Sequence, residues 1–289
     1  MSQFKPGDVV VRKSYGGDIF FKIKELKDTP GQKEAVLTGM DVRLVVDAPI
    51  SDLEKKDAPS ILLYRHQCIQ NQAKSLKNIF ARRELDRKSR DLFRNGEELD
   101  VDFFEVPGKV LHLDGDEEYL EKCLSTYKQL GVPAFGFAIP EKEQPERVVD
   151  LVREYNPDIL VLTGHDAFKK GTRDFSSLEN YKHSSYFIDA VKRVRQLVPG
   201  RDDLVIFAGA CQSHYEGILC AGANFASSPQ RVLIHAYDPV FIVERLAYTS
   251  INESVSVRDI IATTITGIDG VGGIETRGRY RIGYPRSPY

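Results

Sequence analysis

Two residues at the ends of apolar stretches carry side chains that could together break an acyl bond. Cys211 follows the apolar residues 204–207 and the small residues 208–210. His165 follows a second apolar stretch, residues 159–162, and Thr-Gly. Each stretch predicts a strand that is buried on both faces of a parallel sheet. Because parallel strands end at one edge of the sheet, the thiol could act as a nucleophile and the imidazole as its base.

Other interpretations of these residues remain open. A lone cysteine is often a small buried apolar residue, and a lone histidine is often structural. A helix predicted to start near Ser213 would place Cys211 at its N-terminus, where the dipole favours the thiolate. His214 is a rival base, but within that helix it would point past the thiol. A zinc site from His165, Asp166, Cys211 and His214 has suitable ligand types but lacks the usual close spacing.

Composition limits the class of protein. The chain has 289 residues, of which 42% are hydrophobic, and this predicts one large domain or two moderate ones. A net charge of −2 gives no overall attraction to nucleic acid. The four cysteines form no CxxC pair, which indicates a reducing compartment. With no signal peptide and no apolar run near the roughly 18 residues that cross a bilayer, we expect a cytoplasmic protein without a membrane partner.

The pattern divides the chain into three parts. Short β-rich runs between Gly and Pro turns in residues 1–53 predict a small SH3-like β-barrel. Residues 54–107 form a charged connector, and residues 61–94 within it lack Gly and Pro, which predicts a helix. Acids interrupt the basic residues of 82–94, which argues against a nucleic-acid site. Strands and helices alternate in residues 108–289, which predicts a three-layer α/β domain with a mainly parallel sheet.

The two strand ends resemble those of the caspase-like superfamily of cysteine peptidases. In that superfamily one strand ends in His-Gly and the next in Ala-Cys; here residues 164–166 are Gly-His-Asp and residues 209–211 are Gly-Ala-Cys. The resemblance implies that Cys211 is the nucleophile and that His165 is the general base and acid. It also implies that backbone amides of Cys211 and Asp166 hold the oxyanion.

Longer motifs resemble the YabG family of sporulation-specific proteases over almost the whole chain. They occupy residues 109–116, 222–229 and 272–278, besides the two strand ends. The resemblance implies an endopeptidase without cofactor or metal that processes spore-coat and related proteins in the mother-cell cytoplasm or at the spore coat. The connector, residues 82–94, is a candidate for self-processing. The alternatives are a non-catalytic coat or scaffold protein, which predicts an unreactive Cys211, and a zinc-dependent hydrolase.

Cleavage after a basic residue, above all Arg, is the specificity that we expect. Within the superfamily, clostripain, gingipain and separase take Arg and caspases take Asp, according to the charge at the base of the first pocket. Asp114 and Asp116 are both candidate substrate-binding acids for that pocket. We favour Asp114, because Asp116 is better placed to cap the helix that follows. Asp166 and Asp238 are alternative acids. Ser227 and Ser228 are small enough to form a pocket wall for a long side chain.

Overall fold

The computed structural model describes residues 4–29, 32–94, 103–169, 171–172 and 174–287. The chain separates into two compact units, residues 1–73 and 74–289. The division falls within one long helix, so the first part of that helix belongs to the N-terminal unit and the rest to the C-terminal unit.

The N-terminal unit contains a five-stranded antiparallel sheet with the strand order β4-β3-β2-β1-β5. Alternate residues of its strands, such as Phe21 and Ile23, are fully buried, which is the pattern of a sheet with one face on a core. The short fifth strand, next to β1, was not predicted because its residues are charged at two of three positions. The strands are β1 (Val9–Arg12), β2 (Phe20–Thr29), β3 (Gln32–Gly39), β4 (Val45–Pro49) and β5 (Leu53–Lys55).

A long helix, α1 (Ala58–Arg94), follows. It starts three residues earlier than the sequence pattern predicts, because Pro59 lies in the first turn, where a missing backbone N–H costs nothing. The sequence predicts that Asn95-Gly96 ends this helix and that an acidic stretch, residues 97–105, follows. Residues 95–102 lie outside the described residues.

The helix α1 is anchored within the C-terminal unit by a buried carboxylate. Arg82 Nη2 lies 2.8 and 2.6 Å from the two carboxylate oxygens of Glu244, and Arg83 Nε lies 2.6 Å from Oε1. The Glu244 side chain is fully buried, whereas those of Arg82 and Arg83 are 22% and 17% exposed. Arg83 also donates to the backbone oxygen of Leu130 at 2.8 Å. Part of the predicted connector is therefore packed and hydrogen-bonded helix.

Strands and helices alternate through most of the C-terminal unit, as predicted. Six strands form its main sheet, in the order β13-β11-β10-β9-β7-β8. All pair in parallel except β13, which is antiparallel to β11. The elements are β6 (Phe104–Val106), β7 (Val110–Asp114), α2 (Glu117–Gln129), β8 (Ala134–Ala138), α3 (Gln144–Tyr155), β9 (Ile159–Thr163), α4 (Ser184–Leu197), β10 (Val205–Ala208), α5 (Tyr215–Cys220), β11 (Phe225–Ser227), α6 (Asp238–Tyr248), β12 (Ser254–Val255), α7 (Val257–Ile261), β13 (Val271–Gly273), β14 (Thr276–Arg277) and β15 (Arg281–Gly283).

The strand order creates a switch point between β7 and β9. From β7 the chain passes outward to β8 and then returns to β9 on the other side of β7. Helices flank both faces: α2 and α6 pack on Val161 and Phe207, and α3 and α4 pack on Leu160 and Ile206. In open α/β sheets, ligands bind outside the carboxyl ends of the strands at such a switch point.

The sequence makes a specific prediction for two segments near the chain end. It predicts a further strand at residues 232–236, but the structure has none there, because Val232 O and Ile234 N bond to the loop after β10 instead of a neighbouring strand. The Gly-rich tail, residues 267–283, is predicted as turns with a last strand or as a mobile substrate-facing loop, and it provides β13, an edge strand of the main sheet. Gly273 allows that pairing, since a Cβ there would approach the backbone oxygen of Asn224 to 2.4 Å.

Candidate active site

The register of two parallel strands brings the candidate nucleophile and base to one edge of the sheet. Leu162 of β9 pairs with Ala208 of β10, and Gly209 N donates to Leu162 O at 3.0 Å. His165 and Cys211 are each the third residue after this pair. Adjacent strands are about 4.8 Å apart, so the two loops leave the sheet side by side.

A buried carboxylate joins these two loops. Asp166 Oδ2 accepts a hydrogen bond from Ser213 Oγ at 3.1 Å and another from Ser184 Oγ at the start of α4. Its Oδ1 accepts from the amides of Ala167 and His183, both at 2.9 Å. Burial raises the pKa of Asp166, and the donated hydrogen bonds oppose that rise. Asp166 therefore fixes the loop after β9 against both the Cys211 loop and α4.

The Cys211 thiol is fully buried beneath the irregular segment 228–234. The amide nitrogen of Ile234 donates to Sγ at 3.2 Å, and Sγ lies 3.8 Å from the Ile234 carbonyl oxygen. The carbonyl oxygen of Val232 accepts from Gln212 N at 3.2 Å and from Ser228 Oγ at 2.7 Å. The segment is thus hydrogen-bonded to the sulfur and to the residue after it.

The helix after Cys211 starts later than the sequence pattern predicts. Gln212 has a left-handed φ of 56°, and Ser213 Oγ accepts from Ala210 N at 2.9 Å, which closes a turn before the helix. The first residue of α5 is Tyr215. The prediction that Cys211 occupies a helix N-terminus is therefore wrong, and a helix dipole does not account for activation of the thiol.

His214, the rival base, has both ring nitrogens engaged in structural contacts. Nδ1 accepts from Gly217 N at 3.0 Å and caps α5, and Nε2 lies 2.9 Å from the carbonyl oxygen of Ser176. These contacts favour His165 as the base.

His165 is held on several sides. Its Nε2 lies 3.0 Å from Asp116 Oδ2, and its imidazole and the Tyr119 ring make a T-shaped contact with ring centroids 5.7 Å apart. Its amide donates to Glu141 Oε1 at 2.6 Å, and its carbonyl oxygen accepts from His183 Nδ1 at 2.7 Å. Its Nδ1 is buried and has no hydrogen-bond partner within the described ranges. Nε2 therefore contacts a carboxylate, whereas the described residues provide no hydrogen-bond partner for Nδ1.

Glu141 is a site residue that the sequence analysis missed. Its carboxylate lies against the glycines that end β7 and β9: a Cβ at Gly115 would come within 2.2 Å of Oε1, and one at Gly164 within 2.3 Å. Only glycine lets the Glu141 carboxylate reach the His165 amide. Two features of the sequence could have indicated this contact. A glycine directly follows each of the strands β7 and β9, and an acid, Glu141, follows β8, which lies between those strands in sequence.

Asp114 lies at the end of β7 and is fully buried. Its Oδ1 accepts from Asp116 N at 3.0 Å, and its Oδ2 accepts from Thr163 Oγ1 at 2.8 Å. Thr163 Oγ1 is in turn 2.8 Å from His112 Nε2. The structure thus places Asp114 among the residues that support the site. Asp116 caps α2 with its side chain, as predicted.

The other predicted pocket residues lie at or beyond the two ends of the segment that covers the thiol. Ser227 and Ser228 are buried at the end of β11, and the described residues provide no partner for Ser227 Oγ. Asp238 is the first residue of α6 and is fully buried. It accepts from Ile265 N at 2.7 Å and from Thr266 Oγ1 at 2.5 Å, and burial raises its pKa. Asp238 therefore anchors the loop before the Gly-rich tail.

The described part of the chain lacks two features that would define other classes of protein. It contains no group of three or more His, Cys, Asp or Glu side chains arranged to hold a metal ion. Nor does any helix there combine the length and apolar character required to cross a membrane.

The fold and the site together define an α/β protein with a thiol, an imidazole and carboxylates at the carboxyl edge of a mostly parallel sheet. The chain belongs to the YabG peptidase U57 family, whose family model matches residues 5–285. It is 44% identical over 285 residues to the sporulation-specific protease YabG of Bacillus subtilis (strain 168), with 98% of each chain covered. No solved structure matches the chain. The family that the sequence motifs predict is confirmed.

Proposed function

We propose that this protein is a cysteine endopeptidase that processes spore-coat and related proteins during sporulation. Membership of a peptidase family and the name of the relative support the reaction class and the setting. The observation that carries the catalytic assignment is the link between the two loops. Paired strand ends and the Asp166 carboxylate hold the Cys211 loop beside the His165 loop.

In the proposed reaction Cys211 and His165 act as a dyad. The imidazole takes the thiol proton, and the thiolate attacks the scissile carbonyl carbon. The protonated imidazole then gives its proton to the leaving amine as the C–N bond breaks and a thioester remains. Water, deprotonated by the same imidazole, hydrolyses the thioester and restores the thiol. We assign the amides of Cys211 and Asp166 to the oxyanion, since they follow adjacent strand ends.

We further propose a caspase-like identity for the parallel-sheet domain and an SH3-like one for the N-terminal sheet. Five parallel strands with His and Ala-Cys after neighbouring members support the first, and five antiparallel strands, three of them no longer than five residues, support the second. Residues 1–53, 54–107 and 108–289 would then be barrel, connector and peptidase domain.

The dyad is tested by two substitutions, Cys211→Ala and His165→Ala, with extracted spore-coat protein as substrate. Each should lower kcat by about 1,000-fold or more, because removal of one member of a catalytic unit abolishes the contribution of the whole unit. Cys220→Ala is the matched control, because Cys220 is exposed at the end of α5 and has no part in the mechanism. Cleavage by Cys211→Ala at the wild-type rate would refute the assignment.

Cleavage after Arg is the specificity that we propose. This edge of the sheet already accommodates one guanidinium: Arg231 Nη2 pairs with Glu216 at 2.5 Å, and its Nε donates to Tyr181 OH at 2.7 Å. Asp114 is buried with both carboxylate oxygens hydrogen-bonded, whereas the Glu216 side chain is 60% exposed. Glu216 is therefore a second candidate acid beside Asp114.

Peptides that differ only in the residue before the cut test this proposal. We expect Arg to give the highest kcat/KM with the wild-type chain, and Glu216→Gln or Asp114→Asn to weaken that preference according to which acid binds the guanidinium. A wild-type preference for Asp or for an apolar residue would rule out the basic pocket.

A further inference from the structure

The carboxylate of Asp116 makes contacts through both of its oxygens. Oδ1 accepts from the amides of Glu118 and Tyr119, at 2.9 and 3.3 Å, and so caps α2. Oδ2 lies 3.0 Å from His165 Nε2. The Asp116 side chain is only 6% exposed and that of His165 18% exposed, so water screens the contact little. One oxygen thus caps the helix, and the other contacts the imidazole.

The backbone around Asp116 fixes the direction of this carboxylate. The Asp116 amide donates to Asp114 Oδ1 at 3.0 Å, and Asp114 is bound to Thr163 of β9 through its other oxygen. His165 follows the same strand. The acid and the imidazole are therefore positioned from neighbouring strands at the switch point, and rotation of the Asp116 side chain would break its bonds to α2.

The contact determines which nitrogen of a neutral His165 carries the proton. An ionised carboxylate only accepts hydrogen bonds, so the nitrogen that faces it must donate. Nε2 then bears the hydrogen, and Nδ1 holds the lone pair. Nδ1 is the buried nitrogen for which the described residues provide no partner. Its lone pair is the group that could take a proton from a thiol.

We propose that Asp116 is a positioning residue of the peptidase, which holds His165 in the Nε2–H tautomer so that Nδ1 receives the Cys211 proton. The inference rests on the proposed function of Cys211 and His165. When the imidazole is protonated, the same carboxylate faces the positive ring and stabilises it. The substrate-binding role that the sequence suggests for Asp116 is replaced by one that acts through His165.

Three substitutions separate the two tasks of Asp116. Asn caps helices as well as Asp does, but its amide group can present N–H to Nε2 and so favour the wrong tautomer. Asp116→Asn should therefore lower kcat by about 100- to 10,000-fold with little change in KM or Tm. Asp116→Ser retains a cap without the contact to His165, and should lose less kcat than Asn. Asp116→Ala loses the cap as well, and should also lower Tm.

If Asp116 only capped α2, the losses of kcat in these variants would follow the opposite order. Asp116→Asn would then have wild-type kcat, and Asp116→Ala would show the largest defect. Wild-type kcat in Asp116→Asn would overturn the proposal. If Cys211→Ala also cleaved substrate, the proposed function itself would fail, so the two failures are distinguishable.

A spectroscopic measurement decides the tautomer without any activity. The chain is labelled with ¹⁵N-histidine, and the His165 ring signals are assigned by their absence from His165→Gln. We expect the neutral ring of the wild type to carry its hydrogen on Nε2, and that of Asp116→Asn to carry it on Nδ1. A wild-type ring protonated on Nδ1, or a tautomer that Asp116→Asn leaves unchanged, would overturn the proposal.

Discussion

Replacement of Glu244 by Gln should destabilise the C-terminal unit strongly. The Glu244 carboxylate is fully buried and bound by Arg82 and Arg83 at 2.6 to 2.8 Å. Gln keeps the shape of the side chain but removes the charge, which leaves two guanidinium groups without their counter-ion. Loss of one partner from a buried ion pair costs about 3–5 kcal/mol. Because the two arginines are 22% and 17% exposed and can reach some water, we expect the lower end, about 3 kcal/mol.

Thermal and urea unfolding, followed by circular dichroism, measure this effect. For a unit of this size, about 3 kcal/mol corresponds to a fall in Tm of about 6–12 °C. Glu84→Gln is the matched control on the same helix: its side chain is 45% exposed and pairs with Arg87 at 3.0 Å, so its loss should cost less than about 1 kcal/mol. The double variant Arg82→Met, Glu244→Gln should lose less stability than the sum of its single variants, because the two groups interact.

Equal stabilities for Glu244→Gln and Glu84→Gln would refute this reasoning. Additive losses in the double variant would also contradict it, since they would mean that Arg82 and Glu244 contribute independently.

Three further predictions concern other parts of the chain. The Ser14 hydroxyl and then the Arg12 guanidinium lower the pKa of Asp52 to about 2. This lowered pKa stabilises the folded state fully above about pH 4, so Asp52→Asn should cost about 1 kcal/mol at pH 7 in urea unfolding, and the difference should shrink as pH falls through about 2 and disappear below it. Asp166→Asn should cost about 1–3 kcal/mol and lower kcat, because the hydroxyl groups of Ser184 in α4 and of Ser213 in the Cys211 loop lose a charged acceptor; unchanged unfolding and kinetics would contradict this. If the connector is self-processed within residues 82–94, N-terminal sequencing after incubation should find new ends in the wild type but not in Cys211→Ala, and none after the two arginines of the buried ion cluster; intact wild-type chains would eliminate self-processing.

Regular elements with continuous or periodic apolar residues could be predicted closely from the sequence. The sequence predicts a strand at residues 9–12 and a helix at residues 144–155, and these are the bounds of β1 and α3, because a Pro-Gly turn precedes β1 and Asn156-Pro157 ends α3. The strands β9 and β10 were predicted because four or five consecutive apolar residues indicate burial on both faces. Residues 232–236 are equally apolar, but their backbone bonds to Gln212 and Cys211 instead of a strand. An apolar pattern reports burial and does not report which partner the backbone finds.

In the candidate site, too, a local contact could be predicted from the sequence, whereas contacts that depend on strand pairing could not. A carboxylate one residue before a helix predicts a cap, and Asp116 is one. Its second contact, to His165, depends on how β7 and β9 pair, which no local pattern contains. Glu141 was missed for the same reason, since its partners are glycines and an amide that are distant in sequence.

The backbone of Ile234 imposes an order of events on any reaction at the Cys211 sulfur. A reacting carbonyl carbon must approach Sγ to about 3–3.5 Å, and the Ile234 amide nitrogen already lies 3.2 Å away. Because the sulfur is also fully buried, a peptide and an alkylating reagent share one prerequisite, the withdrawal of the covering segment from the sulfur. The rate of thiol alkylation therefore depends on that withdrawal. Alkylation needs no turnover but does need the thiolate, so its rate reports both that withdrawal and the ionisation of the thiol. Comparison of the wild type with His165→Ala then shows how much of the rate depends on the imidazole.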